Sequence, residues 1–176
     1  MAGLFLYVGI MGDIMTEFVW DTAINTTLEF EGGYVNDPND AGGETKYGIS
    51  KKAYPDVDIK NLTIEQARDI YKRDYWDRCK CAFMPDALSI ALFDFAVNSG
   101  TKRAIRYLQR ALNVTIDGVI GNQTIGACNR MPTKPVFENF ITYRLEYLRN
   151  LKGWERYGKG WNRRVQTLKQ IGERYL

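Results

Sequence analysis

The sequence predicts an all-α chain with a small irregular or β insert at about residues 32–61. Three observations lead there. Apolar residues recur at helical spacing over most of the chain, and no long segment alternates apolar and polar residues as a half-buried strand does. One stretch, 32–61, breaks the pattern with Gly, Asn, Asp and Pro. With 176 residues, 45% of them hydrophobic and 26% charged, the chain is large enough to bury a core.

The elements follow in order. Residues 1–15 hold a short apolar stretch, Leu4 to Met11, without a basic leader and too short to span a bilayer. They read as an N-terminal extension that docks or stays flexible. The first firm helix runs from about Thr16 to Phe30, with Thr16 as N-cap. The irregular stretch is long for a compact domain, and loops of that length are usually functional. Short strands are expected near Tyr34–Val35 and Tyr47–Ile49. Thr63-Ile-Glu-Gln66 is a capping box that opens a helix to about Asp77. Pro85 suits the first turn of a helix over 86–98, whose apolar face is Leu88, Ala91, Leu92, Phe95 and Ala96. Another helix spans 101–112, a tight turn follows at Gly118 and Gly121, and a short helix ends near Asn129. Pro132 to Leu151 reads as a long amphipathic helix ended by Gly153, and the last helix covers about Gly160 to Tyr175.

Composition excludes several chemistries. The chain contains no histidine, which removes Ser-His-Asp and Cys-His catalysis and every His-ligated metal site. Cys79, Cys81 and Cys128 are an odd set with poor disulfide and zinc spacing, and they point to synthesis in a reducing cytoplasm. Charge is uneven. Residues 1–50 carry eight acids against Lys46 alone, and residues 130–176 carry eleven bases against Glu138, Glu146, Glu155 and Glu173. Such halves form either two mutually attracting solvated faces or a basic surface for an anionic partner. The bases are spread like helix faces rather than a nucleic-acid arm, so a nucleic-acid-binding domain is the weakest reading.

Polar information concentrates between Glu31 and Ser50. Glu31 closes the first helix and is followed by Gly32, Gly33 and Tyr34. A carboxylate there faces the negative end of the helix macrodipole, and an apolar setting adds desolvation; both favour the protonated form that general acid catalysis uses. Calcium binding by this Asp- and Asn-rich loop is one reading, although the EF-hand spacing is absent. Glycoside hydrolysis, in which a glutamic acid protonates the leaving oxygen, is the other. Glu29 competes for that role, but two residues away on the helix it points about 200° round.

The run Glu31-Gly-Gly-Tyr34, then Asp37-Pro-x-Asp40-x-Gly-Gly-x-Thr45-x-x-Gly-Ile49, resembles the motif of glycoside hydrolase family 108, the lysozyme-like N-acetylmuramidases of phages, prophages and bacteria, some called secretion activators. The similarity continues through Tyr71-Lys-Arg-Asp-Tyr-Trp76 and Asp94-Phe-Ala-Val-Asn-Ser-Gly100. Leu108-Gln-x-x-Leu112, Asp117-Gly118, Gly121 and Thr124 are similar to a peptidoglycan-binding type 3 region. The resemblance implies a lysozyme-like catalytic region at 16–98 and a helical peptidoglycan-binding-like region at 99–176; since no Pro/Gly/Ser linker separates them, the two are expected to pack into one globule. It implies cleavage of the β-1,4 bond between N-acetylmuramic acid and N-acetylglucosamine, with Glu31 as general acid and neither metal nor organic cofactor. Asp40 and Thr45 match motif positions and are candidates to position water or stabilise the glycosyl cation. Tyr34, Tyr47 and Asn98 are candidates to line sugar subsites, Asn98 having an equal claim as a helix C-cap. The expected partner is the peptidoglycan glycan strand, with no nucleic acid and no stable membrane insertion. The expected place of action is the cell wall, reached from the cytoplasm by a route not visible in the sequence. A non-catalytic peptidoglycan-binding or secretion-accessory protein on the same fold is the alternative.

Overall fold

The computed structural model describes residues 2–36 and 43–176, with side chains from residue 16 onward. Among these residues there are seven α-helices and one small hairpin. The first helix, α1, runs from Ala2 to Glu31. It does not begin at Thr16, because nothing between Ala2 and Met15 stops a helix: there is no proline, and the stretch is mostly apolar. The backbone of the expected extension therefore continues straight into the first firm helix. No helix among the described residues is long and apolar enough to cross a membrane.

After α1 the chain bridges Val35 to Thr45, with mutual backbone hydrogen bonds of 2.8 Å. Strands β1 (Thr45–Lys46) and β2 (Ile49–Ser50) then pair antiparallel, Thr45 opposite Ser50 and Lys46 opposite Ile49. Tyr47 and Gly48 form the two-residue turn, both at positive φ (52° and 76°). Paired positive φ is the primed turn that fits strand twist, but a tyrosine at such an angle has to be held there.

Helix α2 (Ile64–Tyr71) opens with the expected capping box. Thr63 Oγ1 accepts from the Gln66 amide (3.2 Å), and Gln66 Oε1 accepts from the Thr63 amide (2.9 Å). The expected continuation to Asp77 is a wider π-turn over Lys72–Trp76, which turns Trp76 into the core. There Trp20, Trp76 and Phe93 meet edge to face, with ring centroids 5.3–5.8 Å apart.

Helix α3 (Asp86–Ser99) is the centre of the molecule. Every residue from Ala87 to Ala96 is buried, so it is apolar all round apart from Ser89 and Asp94. Around it pack α1, α4 (Thr101–Ala111), α6 (Thr133–Arg149) and α7 (Trp154–Glu173), while α5 (Asn122–Arg130) joins α4 to α6. One hydrophobic cluster runs from Val19 through Phe93 and Phe140 to Leu168. Helix α7 begins at Trp154 rather than Gly160. Its early glycines do not break it, because the Trp154 ring packs on the buried backbone face of Gly158; a Cβ there would sit 2.6 Å from that ring. Farther along, a Cβ at Gly172 would overlap the Phe137 ring, so glycine lets α7 lie directly on α6.

The Leu108–Thr124 block is organised around one buried side chain. Gln109 Nε2 donates to Asp117 Oδ1 (2.7 Å), the Val119 carbonyl (3.0 Å) and Thr124 Oγ1 (3.2 Å), and its Oε1 accepts from the Gly118 amide (2.8 Å). These motif residues close the loop between α4 and α5, a structural task that explains their types. The three cysteines are buried and unpaired; burial pushes the Cys128 thiol up to about 11 and raises Cys81 as well.

Candidate active site

Glu31 lies at the C-terminus of α1, where Gly32 leaves the helix at φ 74°. Its surroundings are charged rather than apolar. Arg164 Nη1, from α7, donates to Glu31 Oε1 at 2.8 Å. The guanidinium also lies 5.0 Å from the centre of the Phe30 ring. Its other nitrogens turn inward: Nη2 donates to Asp94 Oδ1 (2.7 Å) and Nε to both Asp94 oxygens (3.0 and 3.1 Å). Asp94 is fully buried, accepts from Arg144 Nη2 at 2.6 Å and takes the Thr27 hydroxyl at 3.3 Å.

The carboxylate of α3 is thus clamped between guanidiniums from α6 and α7. Burial alone would raise the Asp94 carboxyl, but Arg144 and Arg164 outweigh it and hold it below the usual carboxylate range. Burial likewise opposes charge on Arg164, and Asp94 and Glu31 together overcome that and raise it. Arg144 is lowered by its complete burial. Its Nε and Nη1 lack a hydrogen-bond partner, and its guanidinium lies 5.0 Å from the Phe95 ring centre. The network fixes Arg164, and Arg164 fixes one oxygen of Glu31.

The Tyr47–Gly48 turn covers the other side. Tyr71, from the end of α2, donates its hydroxyl to the Tyr47 carbonyl (2.8 Å) and so holds the strained turn. A Cβ at Gly48 would stand 2.9 Å from Glu31 Oε2 and 2.5 Å from the Tyr71 hydroxyl. Glycine is therefore required twice, by its φ and by the approach of the turn to the carboxylate. The Tyr71 phenol is pushed up by burial and then by the Glu31 charge, so it stays protonated.

Glu31, Arg164, Tyr71 and the Tyr47–Gly48 turn meet at one place. Other expected residues are arranged differently. Thr45 is one strand position from that turn, and its hydroxyl donates to the Gly43 carbonyl at 3.3 Å. The exposed Tyr34 donates to Glu44 Oε1 at 2.7 Å. Asn98 lies inside α3, one turn beyond Asp94, and accepts from the Ser99 hydroxyl at 3.0 Å; Gly100, not Asn98, is the C-cap. Asp40 falls outside the described residues. No cluster of His, Cys, Asp or Glu among the described residues is placed to hold a metal ion. Arg164 carried no signal in the sequence beyond its place in a basic helix. Asp94 did carry one, as the lone charge inside an otherwise apolar helical stretch.

No curated protein matches the sequence. The profile of the family described as glycosyl hydrolase 108 matches residues 24–100, which include Glu31, the Tyr47–Gly48 turn, Tyr71 and Asp94. Among solved structures, that of Brucella abortus SagA is similar at 32% identity over 90% of this chain and 96% of the other, with a TM-score of 0.80. A profile match across the candidate site, together with a likeness that spans both chains almost end to end, means that this chain belongs to the glycosyl hydrolase 108 family.

Proposed function

We propose that this glycosyl hydrolase is an N-acetylmuramidase that cleaves the β-1,4 bond between N-acetylmuramic acid and N-acetylglucosamine, with Glu31 as general acid. The observation that carries the reading is the split environment of the Glu31 carboxyl. Oε1 accepts from Arg164 at 2.8 Å, while Oε2 faces the side-chain-free Gly48. A carboxylic acid accepts at its carbonyl oxygen and donates from its hydroxyl. Arg164 engages Oε1 as an acceptor, so the proton is assigned to Oε2, the oxygen against which the turn places a glycine and no side chain. Protonation of the glycosidic oxygen from Oε2 makes the departing sugar a neutral alcohol. Arg164 keeps its place through the change because Asp94 binds it independently of Glu31.

Asp94 itself is not the second catalytic group, because both of its oxygens are committed to buried guanidiniums. The Thr45 hydroxyl and the Asp40 carboxylate are proposed to position the attacking water or to stabilise the glycosyl cation. Tyr34, Tyr47 and Asn98 are proposed to contact flanking sugars. The enzyme would act on the cell wall after export. The exposed bases of α6 and α7 would favour the anionic polymer, and residues 99–176 would contribute to holding it.

Turbidity clearing of purified peptidoglycan by Glu31→Gln tests the reading. The variant should stay folded and lose clearing by a factor of about 100 or more, the range expected when a general acid is removed. Clearing near the wild-type rate would overturn the assignment. Wall binding by the wild-type protein without release of reducing ends would favour the non-catalytic alternative.

A further inference from the structure

Helices α1 and α7 run antiparallel. Thr22 bonds Tyr175 near one end of the pair, and Glu31 meets Arg164 near the other. The first ten residues of α7 therefore extend past the end of α1, beyond the candidate acid. This stretch carries Trp154, Tyr157 and Trp161, and Tyr157 lies seven residues before Arg164 on the same side of the helix, two turns or about 10 Å along it. The Tyr157 and Trp161 rings lie 5.8 Å apart with planes only 33° from parallel, and Trp154 buttresses Trp161 at 6.3 Å. Two glycines set these rings. A Cβ at Gly153 would crowd Trp161 (3.0 Å) and Tyr157 (3.1 Å), and Gly158 receives Trp154. Tyr157 is nevertheless 50% exposed, unusual for a ring fixed this way. The exposed Arg156 places its guanidinium 5.2 Å from the centre of the Tyr157 ring and gives this end of the platform a positive charge.

We infer that Tyr157 and Trp161 form a saccharide-stacking platform that grips the glycan strand about two helical turns from the cleaved bond. The occupant is an N-acetylated, anionic β-linked glycan, as the platform's chemistry requires. Apolar ring faces fit the C–H faces of pyranoses, the phenol hydroxyl can bond an acetamido or hydroxyl group, and the Arg156 guanidinium beside the ring matches a lactyl or peptide carboxylate. The platform stands on the same helix as Arg164, two turns from the side chain that bonds Glu31. The inference rests on the muramidase reading, but its test is separable from it.

The test measures binding of solubilised peptidoglycan glycan and of chitotetraose in the non-cleaving Glu31→Gln background, by tryptophan fluorescence and calorimetry. Tyr157→Ala in that background should weaken binding about fivefold to tenfold, the scale of one lost aromatic contact. Tyr157→Phe and Trp161→Phe should retain most of it, because a ring face remains. Equal affinity for Tyr157→Ala and its parent, with unchanged circular dichroism, would overturn the platform while leaving Glu31 untouched. So would binding to phospholipid vesicles that is lost in Tyr157→Ala while glycan binding persists. Retained cleavage by Glu31→Gln would instead refute the acid assignment, and the Tyr157→Ala comparison would then be read from KM for glycan cleavage, which loss of the platform should raise.

Discussion

Gly48 shows how one residue without a side chain shapes the candidate site. It sits at φ 76° in the turn, and a side chain there would contact both Glu31 Oε2 and the Tyr71 hydroxyl. Gly48→Ala should destabilise the protein by about 1–3 kcal/mol, the usual size of left-handed strain and crowding, as read by urea unfolding. It should also lower activity by more than the loss of folded protein explains, because the turn has to withdraw from the carboxyl group. The environment of Glu31 itself departs from the sequence expectation. Helix-end position was legible, but the partner was not, because Arg164 lies 133 residues away in the chain. Local spacing says that one side of α7 is buried; it does not say which distant carboxylate turns an arginine inward.

At the scale of elements, the capping box, the apolar face of α3 and the order of the helices could all be read from local pattern. The start of α7 could not. Glycine is a poor helix former on its own, but packing overrides the intrinsic preference where a ring fills the space that the missing Cβ leaves. The same helix offers an internal contrast. Gly160 is exposed with open space around it, whereas Gly172 faces the Phe137 ring. Gly160→Ala should raise stability by about 0.5–1 kcal/mol through helix propensity. Gly172→Ala should lower it by about 1–3 kcal/mol through overpacking of the α6–α7 contact. Thermal unfolding of the two variants checks the pair, and shifts of the same sign would contradict the packing described for α7. The β insert falls within the predicted stretch, but its parts are displaced. The strand expected at Tyr47–Ile49 is the turn at Tyr47–Gly48, flanked by strands of two residues each, and the strand expected at Tyr34–Val35 is a single bridge at Val35, because the positive-φ turn is held from outside by Tyr71.

For the whole molecule, the ion cluster Arg144–Asp94–Arg164–Glu31 joins α6, α3, α7 and α1. The charge imbalance along the chain suggested two attracting faces or a basic surface. Two of the eleven bases in the C-terminal segment, Arg144 and Arg164, are instead buried around Asp94. Asp94→Asn should cost about 3–5 kcal/mol, since it leaves two buried guanidiniums without their counter-charge. Because the Asp94 carboxyl is held below its usual value in the fold, its stabilisation is present above the unfolded carboxylate range. It is lost as pH falls through the folded value. Urea midpoints should therefore drop steeply below about pH 4 in the wild type and less steeply in Asp94→Asn. On the proposed reading, Glu31 cleaves the glycan by acid catalysis in this frame. Mass spectrometry of fragments released from purified sacculi tests it most directly. Soluble muropeptides with N-acetylmuramic acid at the new reducing end are expected from the wild type and none above background from Glu31→Gln; the same fragments from both proteins, or reducing ends of N-acetylglucosamine, would overturn the assignment.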